Sequence, residues 1–190
     1  GYTKAMPRSC PLCGSPYLAG FGLGTQKAEM MIKAQFPSAR VLRMDMDTTS
    51  KKDGHEQILD AFRRKEADIL VGTQMIVKGH DFPGVTLVGI LAADMSLYNC
   101  DFRSSERTFQ LLTQAAGRAG RGMEPGNVII QTYDPENYSI QTAANQDYES
   151  FYNQEIRFRR RMQYPPIGWM CEVMAVSAEE ELANQWIWQV

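Results

Sequence analysis

The stretch Asp68-Ile69-Leu70-Val71-Gly72-Thr73-Gln74-Met75-Ile76-Val77-Lys78-Gly79-His80-Asp81-Phe82-Pro83-Gly84-Val85-Thr86-Leu87-Val88-Gly89-Ile90-Leu91-Ala92 decides the fold. Asp68–Val71 reads as a short apolar strand that ends at Gly72-Thr73. Val85–Ala92 is almost continuously apolar, the pattern of a strand covered on both faces. Between them lies a polar, glycine-containing loop.

Working outward, short apolar runs keep alternating with amphipathic stretches. On the amino side, Gly54–Lys65 carries Ile58, Leu59 and Phe62 at helical spacing, and Val41–Met44 reads as a strand. Thr25 is the expected N-cap of a helix running to about Phe36, where Pro37 stops it. Tyr17–Gly22 is a further candidate strand, closed by the turn Gly22-Leu23-Gly24. On the carboxyl side, a helix is expected from about Ser105 to Ala119, with Leu111 and Leu112 in the core. A strand follows at Asn127–Thr132, then a long charged helix at Tyr148–Met162. Strands alternating with helices predict an α/β fold, a mostly parallel sheet with helices on both faces. In such sheets, function gathers on loops at the carboxyl ends of the strands. Tyr164-Pro165-Pro166 reads as a domain boundary, with a strand-like segment at Trp169–Val176 beyond it. The expected organisation is therefore a cysteine-containing terminus at 1–16, one α/β lobe at 17–163, and the start of another domain at 164–190.

Composition narrows the class. The chain has 190 residues, 44% of them hydrophobic and 22% charged, as in a globular domain. No run approaches the roughly 20 apolar residues of a spanning helix, and the first residues carry no signal-peptide core, so the expected location is cytoplasmic, with no membrane partner. The net charge is -2. Any contact with nucleic acid must then be local, because a broad basic field is missing. Four cysteines are too few and too scattered for a disulfide scaffold. Cys10 and Cys13 form a C-x-x-C pair. Cys100 and Cys171 stand alone and read as core or incidental thiols.

Two segments point to phosphate chemistry. The first is Gln114-Ala115-Ala116-Gly117-Arg118-Ala119-Gly120-Arg121. On a continuous helix, Gln114, Arg118 and Arg121 would share a stripe of roughly 60°. Arginine suits developing phosphate charge, because its planar fork bonds bidentately and never deprotonates. Gly117 and Gly120 would each cost about 1 kcal/mol in a helix, which is reasonable if a backbone or a nucleotide must come close. The plainer reading is an exposed Gly/Arg turn that closes the helix. The second segment runs from Gly72 to Pro83. A strand ending in Gly-Thr before a helical turn can offer a hydroxyl and free N–H groups to a phosphate. Asp81 could accept from a ribose or a motif arginine. The plainer reading is a surface βα loop.

Taken together, Thr73…Lys78-Gly79-x-Asp81 followed by Gln114-x-x-Gly117-Arg118-x-x-Arg121 resembles motifs V and VI of superfamily 2 helicases. Lys78 stands where those helicases usually have arginine. Further stretches resemble one branch, the PriA family of primosomal replication-restart helicases. They are Cys-Pro-x-Cys-Gly at 10–14, Gly-Leu-Gly-Thr at 22–25, Arg-x-Asp-x-Asp-Thr-Thr at 43–49, Gly-Thr-Gln-Met-x-x-Lys-Gly-His-x-Phe-Pro at 72–83, Asp-Phe-Arg-Ser-x-Glu-Arg at 101–107 and Arg-Arg-Met-Gln-x-Pro-Pro at 160–166. The resemblance runs from Cys10 to about Pro166.

What it implies is a RecA-like second motor lobe of an ATP-driven 3′–5′ DNA helicase that restarts stalled forks by loading the primosome. Arg118 and Arg121 would be arginine fingers toward ATP with Mg²⁺, oriented by Gln114. Gly79, Asp81 and Gly117 would lie near the nucleotide, and Thr73, Gln74 and Lys78 near DNA. Cys10 and Cys13 would be the last pair of a cysteine-rich insertion that binds structural zinc. Implied partners are forked and single-stranded DNA, single-stranded-DNA-binding protein and primosome components, in the bacterial cytoplasm near the nucleoid. The chain contains no Gly-Lys dipeptide, hence no P-loop, and no Asp-Glu-x-His/Asp box. Alone it is expected to be inactive. Two alternatives stay open: another superfamily 2 DNA or RNA translocase, or a non-enzymatic adaptor with a degenerate lobe.

Weaker features remain. Asp53-Gly54-His55-Glu56 reads as a helix start, not a metal site. Arg157, Arg159, Arg160 and Arg161 form a basic cluster, either a solvated helix face or a surface for DNA backbone. For His80, a role in sensing nucleotide or DNA rests on the resemblance alone.

Overall fold

A computed structural model describes residues 7–17, 24–49, 54–76, 82, 84–99, 101–120 and 125–189. It falls into two compact units, 1–147 and 148–190.

The first unit is α/β. Helix α1 spans Thr25–Gln35, strand β1 Val41–Met44, helix α2 Gly54–Arg63 and strand β2 Ile69–Gly72. Strand β3 spans Leu87–Ile90, helix α3 Ser104–Ala116, strand β4 Asn127–Ile130 and helix α4 Tyr138–Ala144. Short 3₁₀ turns follow β2 at Gln74–Ile76 and β3 at Ala93–Ser96. Both strand pairs are parallel. β1 runs beside β2 with Val41 opposite Ile69, and β3 beside β4 with Leu87 opposite Asn127. Among the described residues these pairs form two two-stranded sheets, not one continuous sheet.

The core of the β1–β2 half is Met44, Leu59 and Phe82, with Ile58, Phe62, Leu70, Met75, Ile76 and Val85 packed around it. Thus the i, i+1, i+4 apolar stripe of α2 does what its periodicity predicts. In the other half, α3 packs on α4, on the 93–96 turn and on β3. Leu112 is buried there, while Leu111 is only half-covered.

Several expectations need correction. Thr25 does not cap α1: Gly24 holds the N-cap position, and the Thr25 hydroxyl instead donates to Asp45 Oδ2 at 2.6 Å. Strand β3 is not covered on both faces, since Leu87 is 58% exposed and Ile129, opposite Gly89 on β4, 61%; in this half α3 packs on β3. Helix α4 has no counterpart among the expected elements. Its N-cap, Asn137, accepts a hydrogen bond from the Ser139 N–H. Tyr17, the described end of the expected 17–22 strand, is not in a strand; 18–22 lie outside the described residues.

The second unit holds helix α5, Tyr148–Met162, as expected, and α6, Glu180–Ile187, which the sequence does not announce. Residues 169–176 form no strand. A strand needs a partner backbone for its N–H and C=O groups, and none is described beside this segment. Tyr164-Pro165-Pro166 is a tight turn, with the Ile167 N–H bonded to Tyr164 O.

Candidate motor-lobe site

Helix α3 follows the carboxyl end of β3, and its far end lies near the chain entering β3. It stops at Ala116, three residues earlier than expected. Gly117 caps it at φ -66°, and the next N–H groups bond three residues back, Arg118 to Ala115 O and Ala119 to Ala116 O. This tightening satisfies carbonyls that the helix would otherwise leave open. Gly120 then turns with φ +74° and donates its N–H to Val85 O at 3.0 Å. A Cβ on Gly120 would stand 2.6 Å from Gly126 N. Its glycine is therefore explained by the backbone of its own turn, not by a nucleotide.

The helical-stripe geometry is corrected accordingly. Gln114 sits exposed in the last turn of α3, but Arg118 lies in the turn beyond it, half-buried. Arg121 lies outside the described residues. The segment also stands at the amino end of β3, beside Val85, and not at the carboxyl end where loops of such sheets usually carry function.

The other segment starts where β2 ends. Gly72 is obligatory, because a Cβ there would overlap the Met44 carbonyl oxygen of β1. Thr73 and Gln74 are exposed. Thr73 O accepts from the Ile76 N–H at 3.1 Å, and its hydroxyl lies 3.5 Å from the Met75 N–H. The turn so uses two of the N–H groups that were expected to be open to a phosphate. Lys78, Gly79, His80 and Asp81 lie outside the described residues. Phe82 returns the chain to the core, edge-on to Phe62 at 5.3 Å. From there Gly84-Val85 leads to the hydrogen bond with Gly120. Gly120 of the first segment is thus tied to Val85, two residues beyond Pro83, where the second segment ends.

Two carboxylates outside the predicted site hold the strand ends. Asp45 directly follows β1. It accepts from the Thr25 hydroxyl, from the Thr48 N–H at 2.9 Å and from the Thr48 hydroxyl, with Arg43 Nε at 3.1 Å. The Thr25 and Thr48 donors hold its pKa below the ordinary carboxylate range. Asp94, fully buried after β3, accepts from the Thr132 hydroxyl and from the N–H groups of Tyr133 and Asp134. Burial pushes its pKa up, and these donors outweigh burial to leave it lowered. The signal that could have found both is an aspartate placed just after an apolar run.

The Asp-Phe-Arg-Ser-x-Glu-Arg stretch turns out to be the clasp at the start of α3. Asp101 pairs with Arg103 at 3.2 Å and Arg107 at 2.7 Å. The Ser104 hydroxyl donates to Asn99 O and Asp101 O. The Arg103 side chain and N–H hold the Asp101 carboxyl below its usual range.

Near the amino end, Cys10 and Cys13 sit on one tight turn. Gly14 N–H bonds to Cys10 O and Cys10 N–H to Ser15 O, both at 2.8 Å, with Gly14 at φ +70°. The N–H groups of Cys13 and Leu12 point at the Cys10 sulfur and lower its pKa. That favours a thiolate, the form that binds metals. No group of three or more His, Cys, Asp or Glu side chains that could hold a metal occurs among the described residues. Cys171 is exposed and so is not a core thiol. No helix among the described residues is long and apolar enough to cross a membrane.

The model of the helicase conserved C-terminal domain matches residues 19–123, more than half the chain and both motif segments, and the chain belongs to that family. Among individual proteins, it is 54% identical over 180 residues to replication restart protein PriA of Bacillus subtilis strain 168, covering 95% of this chain and 22% of that protein. The protein of the same name from Synechocystis sp. is 51% identical over 167 residues, covering 88% and 20%. That of Haemophilus influenzae is 38% identical over 190 residues, covering 100% and 26%. The chain thus spans about a fifth to a quarter of the length of these curated relatives.

Proposed function

We propose that this chain is the second, RecA-like motor lobe of an ATP-dependent 3′–5′ DNA helicase that restarts stalled replication forks, with one continuous parallel sheet in the intact lobe. The observation that supports the reading is the Gly120 N–H to Val85 O bond, which ties the turn after Gln114–Arg118 to the chain two residues past Pro83. In this reading Arg118 and Arg121 reach toward the γ-phosphate of an ATP held, with its Mg²⁺, by another lobe of the longer protein. Gln114 orients them or the attacking water. Gly117, Gly79 and Asp81 line the nucleotide side, and Thr73, Gln74 and Lys78 the DNA side. The protein acts on forked and single-stranded DNA in the bacterial cytoplasm, at the nucleoid, together with single-stranded-DNA-binding protein and primosome components.

The Cys10–Cys13 turn fits half of a structural zinc site. Its backbone N–H groups favour the Cys10 thiolate, and tetrahedral zinc needs two more ligands from elsewhere in the longer protein. The zinc would tie down the chain and take no part in hydrolysis.

The test uses the full-length protein. Arg118→Ala or Arg121→Ala should lower DNA-stimulated ATP turnover by about 10³–10⁵, the usual worth of a finger. At 1.36 kcal/mol per decade that is roughly 4–7 kcal/mol of barrier. Lysine should rescue poorly, because an ammonium cannot reproduce the planar fork. Thermal unfolding of the same variants should stay close to wild type. A loss of less than about tenfold with each alanine would overturn the assignment.

A further inference from the structure

The basic cluster of α5 is two different things in the structure. Arg159 is buried. Its Nε donates to Glu155 Oε1 at 2.7 Å and its Nη1 to Pro165 O at 3.0 Å. Arg157, Arg160 and Arg161 are exposed, and none pairs with a described carboxylate. At 100° per residue, Asn153, Gln154, Arg157, Arg160 and Arg161 occupy an arc of about 120°, roughly opposite buried Phe151, Glu155 and Arg159. All five are exposed hydrogen-bond donors. The carboxylates of α5 are only Glu149, in its first turn, and Glu155, held by Arg159. In a chain of net charge -2, this is a concentrated cationic stripe.

We infer that this face of α5 binds the phosphate backbone of duplex DNA, outside the motor motifs. Arginine, asparagine and glutamine side chains are common donors to phosphate oxygens. From Asn153 to Arg161 the stripe is about 12 Å long at 1.5 Å per residue, enough to follow roughly three phosphates along one strand. The stripe carries no aromatic side chain, whereas surfaces for single strands use rings on which bases stack. Duplex is therefore the favoured source of the phosphates. A competing explanation is that the arginines only complement the carboxyl end of the helix dipole.

The inference rests on the proposed function only in taking DNA as the ligand of the longer protein. Duplex-DNA affinity of the full-length protein, measured across a salt series, tests it. Replacing Arg157, Arg160 and Arg161 together by alanine should flatten the slope of log K against log salt by about 2–3, at roughly 0.9 for each phosphate no longer neutralised. The triple lysine variant should keep the slope. ATP turnover saturated with single-stranded DNA should be unchanged in both. Should the triple alanine variant fail to fold, Arg157→Gln alone should flatten the slope by about one. An unchanged slope in a folded alanine or Arg157→Gln variant overturns the inference, as does an equal loss in the lysine variant. It is also overturned if the alanine variant stops binding an acidic peptide while its duplex affinity stays intact. A wild-type protein that binds no DNA overturns this inference and the proposed function together, so the two failures are distinguishable.

Discussion

Asp94 shows how one side chain can tie distant parts of the chain. It is fully buried as a carboxylate and satisfied by three donors from residues 132–134, across from the turn that follows β3. Asparagine there would present an amide N–H to donors and leave at least one of them unmatched. Asp94→Asn should therefore cost about 2–4 kcal/mol, read as a lowered urea midpoint at neutral pH. The pH dependence follows from the lowered folded pKa. A carboxylate of this kind contributes fully above its unfolded pKa, near 3.9. The unfolded state takes up the proton first as pH falls, so the contribution fades below about pH 4 and is lost as pH passes the folded value. The gap in stability between wild type and variant should shrink over that window. A gap that stays constant to lower pH would show that the carboxylate's charge is not what stabilises the turn.

At the scale of elements, the decisive joint is the turn between α3 and β4. Gly117 and Gly120 look alike in sequence but stand in different places. Gly120 needs a positive φ and has Gly126 N where a Cβ would go. Gly120→Ala should destabilise the chain by about 2–4 kcal/mol, combining a left-handed backbone with overlap. Gly117 lies at φ -66°, and a Cβ there would meet the Thr113 carbonyl oxygen at an ordinary 3.4 Å. Gly117→Ala should therefore leave stability unchanged or raise it by about 0.4–1 kcal/mol. If Gly117 faces the nucleotide, that same variant of the full-length protein should still lose about tenfold in ATP turnover, or 1.36 kcal/mol of barrier. Full turnover in the alanine variant would remove Gly117 from the proposed site, and a melting temperature that falls with it would mean the turn itself was damaged.

For the whole molecule, what matters is which parts of the catalytic apparatus this chain contains. It carries the Gln114–Arg121 segment and lacks any Gly-Lys phosphate loop. Under the proposed assignment, finger arginines without a cradle would neither grip the β- and γ-phosphates nor place Mg²⁺. The 190-residue chain by itself should release no phosphate from ATP, with or without DNA, above a mock preparation, as followed by a coupled phosphate assay. DNA-stimulated release from the pure chain would mean that a nucleotide cradle exists among residues to which another role is assigned.

The sequence by itself determined the elements whose signals are local. Ile58, Leu59 and Phe62 at helical spacing located α2, Val41–Met44 located β1, and the motif stretches between 43 and 121 carried the family. Only the tertiary structure decided where α3 ends. Ala115 and Ala116 favour a continuing helix and Gly117 only weakly opposes one, and the chain beyond the cap is held instead by the bond from the Gly120 N–H to Val85 O, a residue 35 positions away in sequence. The same holds for Thr25, a good N-cap by type, whose hydroxyl is drawn to Asp45 once α1 packs beside β1. It holds for Trp169–Val176, apolar enough for a strand but with no described partner. It also separates Arg159, buried on Glu155, from the three arginines around it that face water. Periodicity and caps are written in neighbouring residues, whereas the end of a helix, the partner of a hydroxyl and the exposure of a charge are settled by groups that only folding brings within hydrogen-bonding distance.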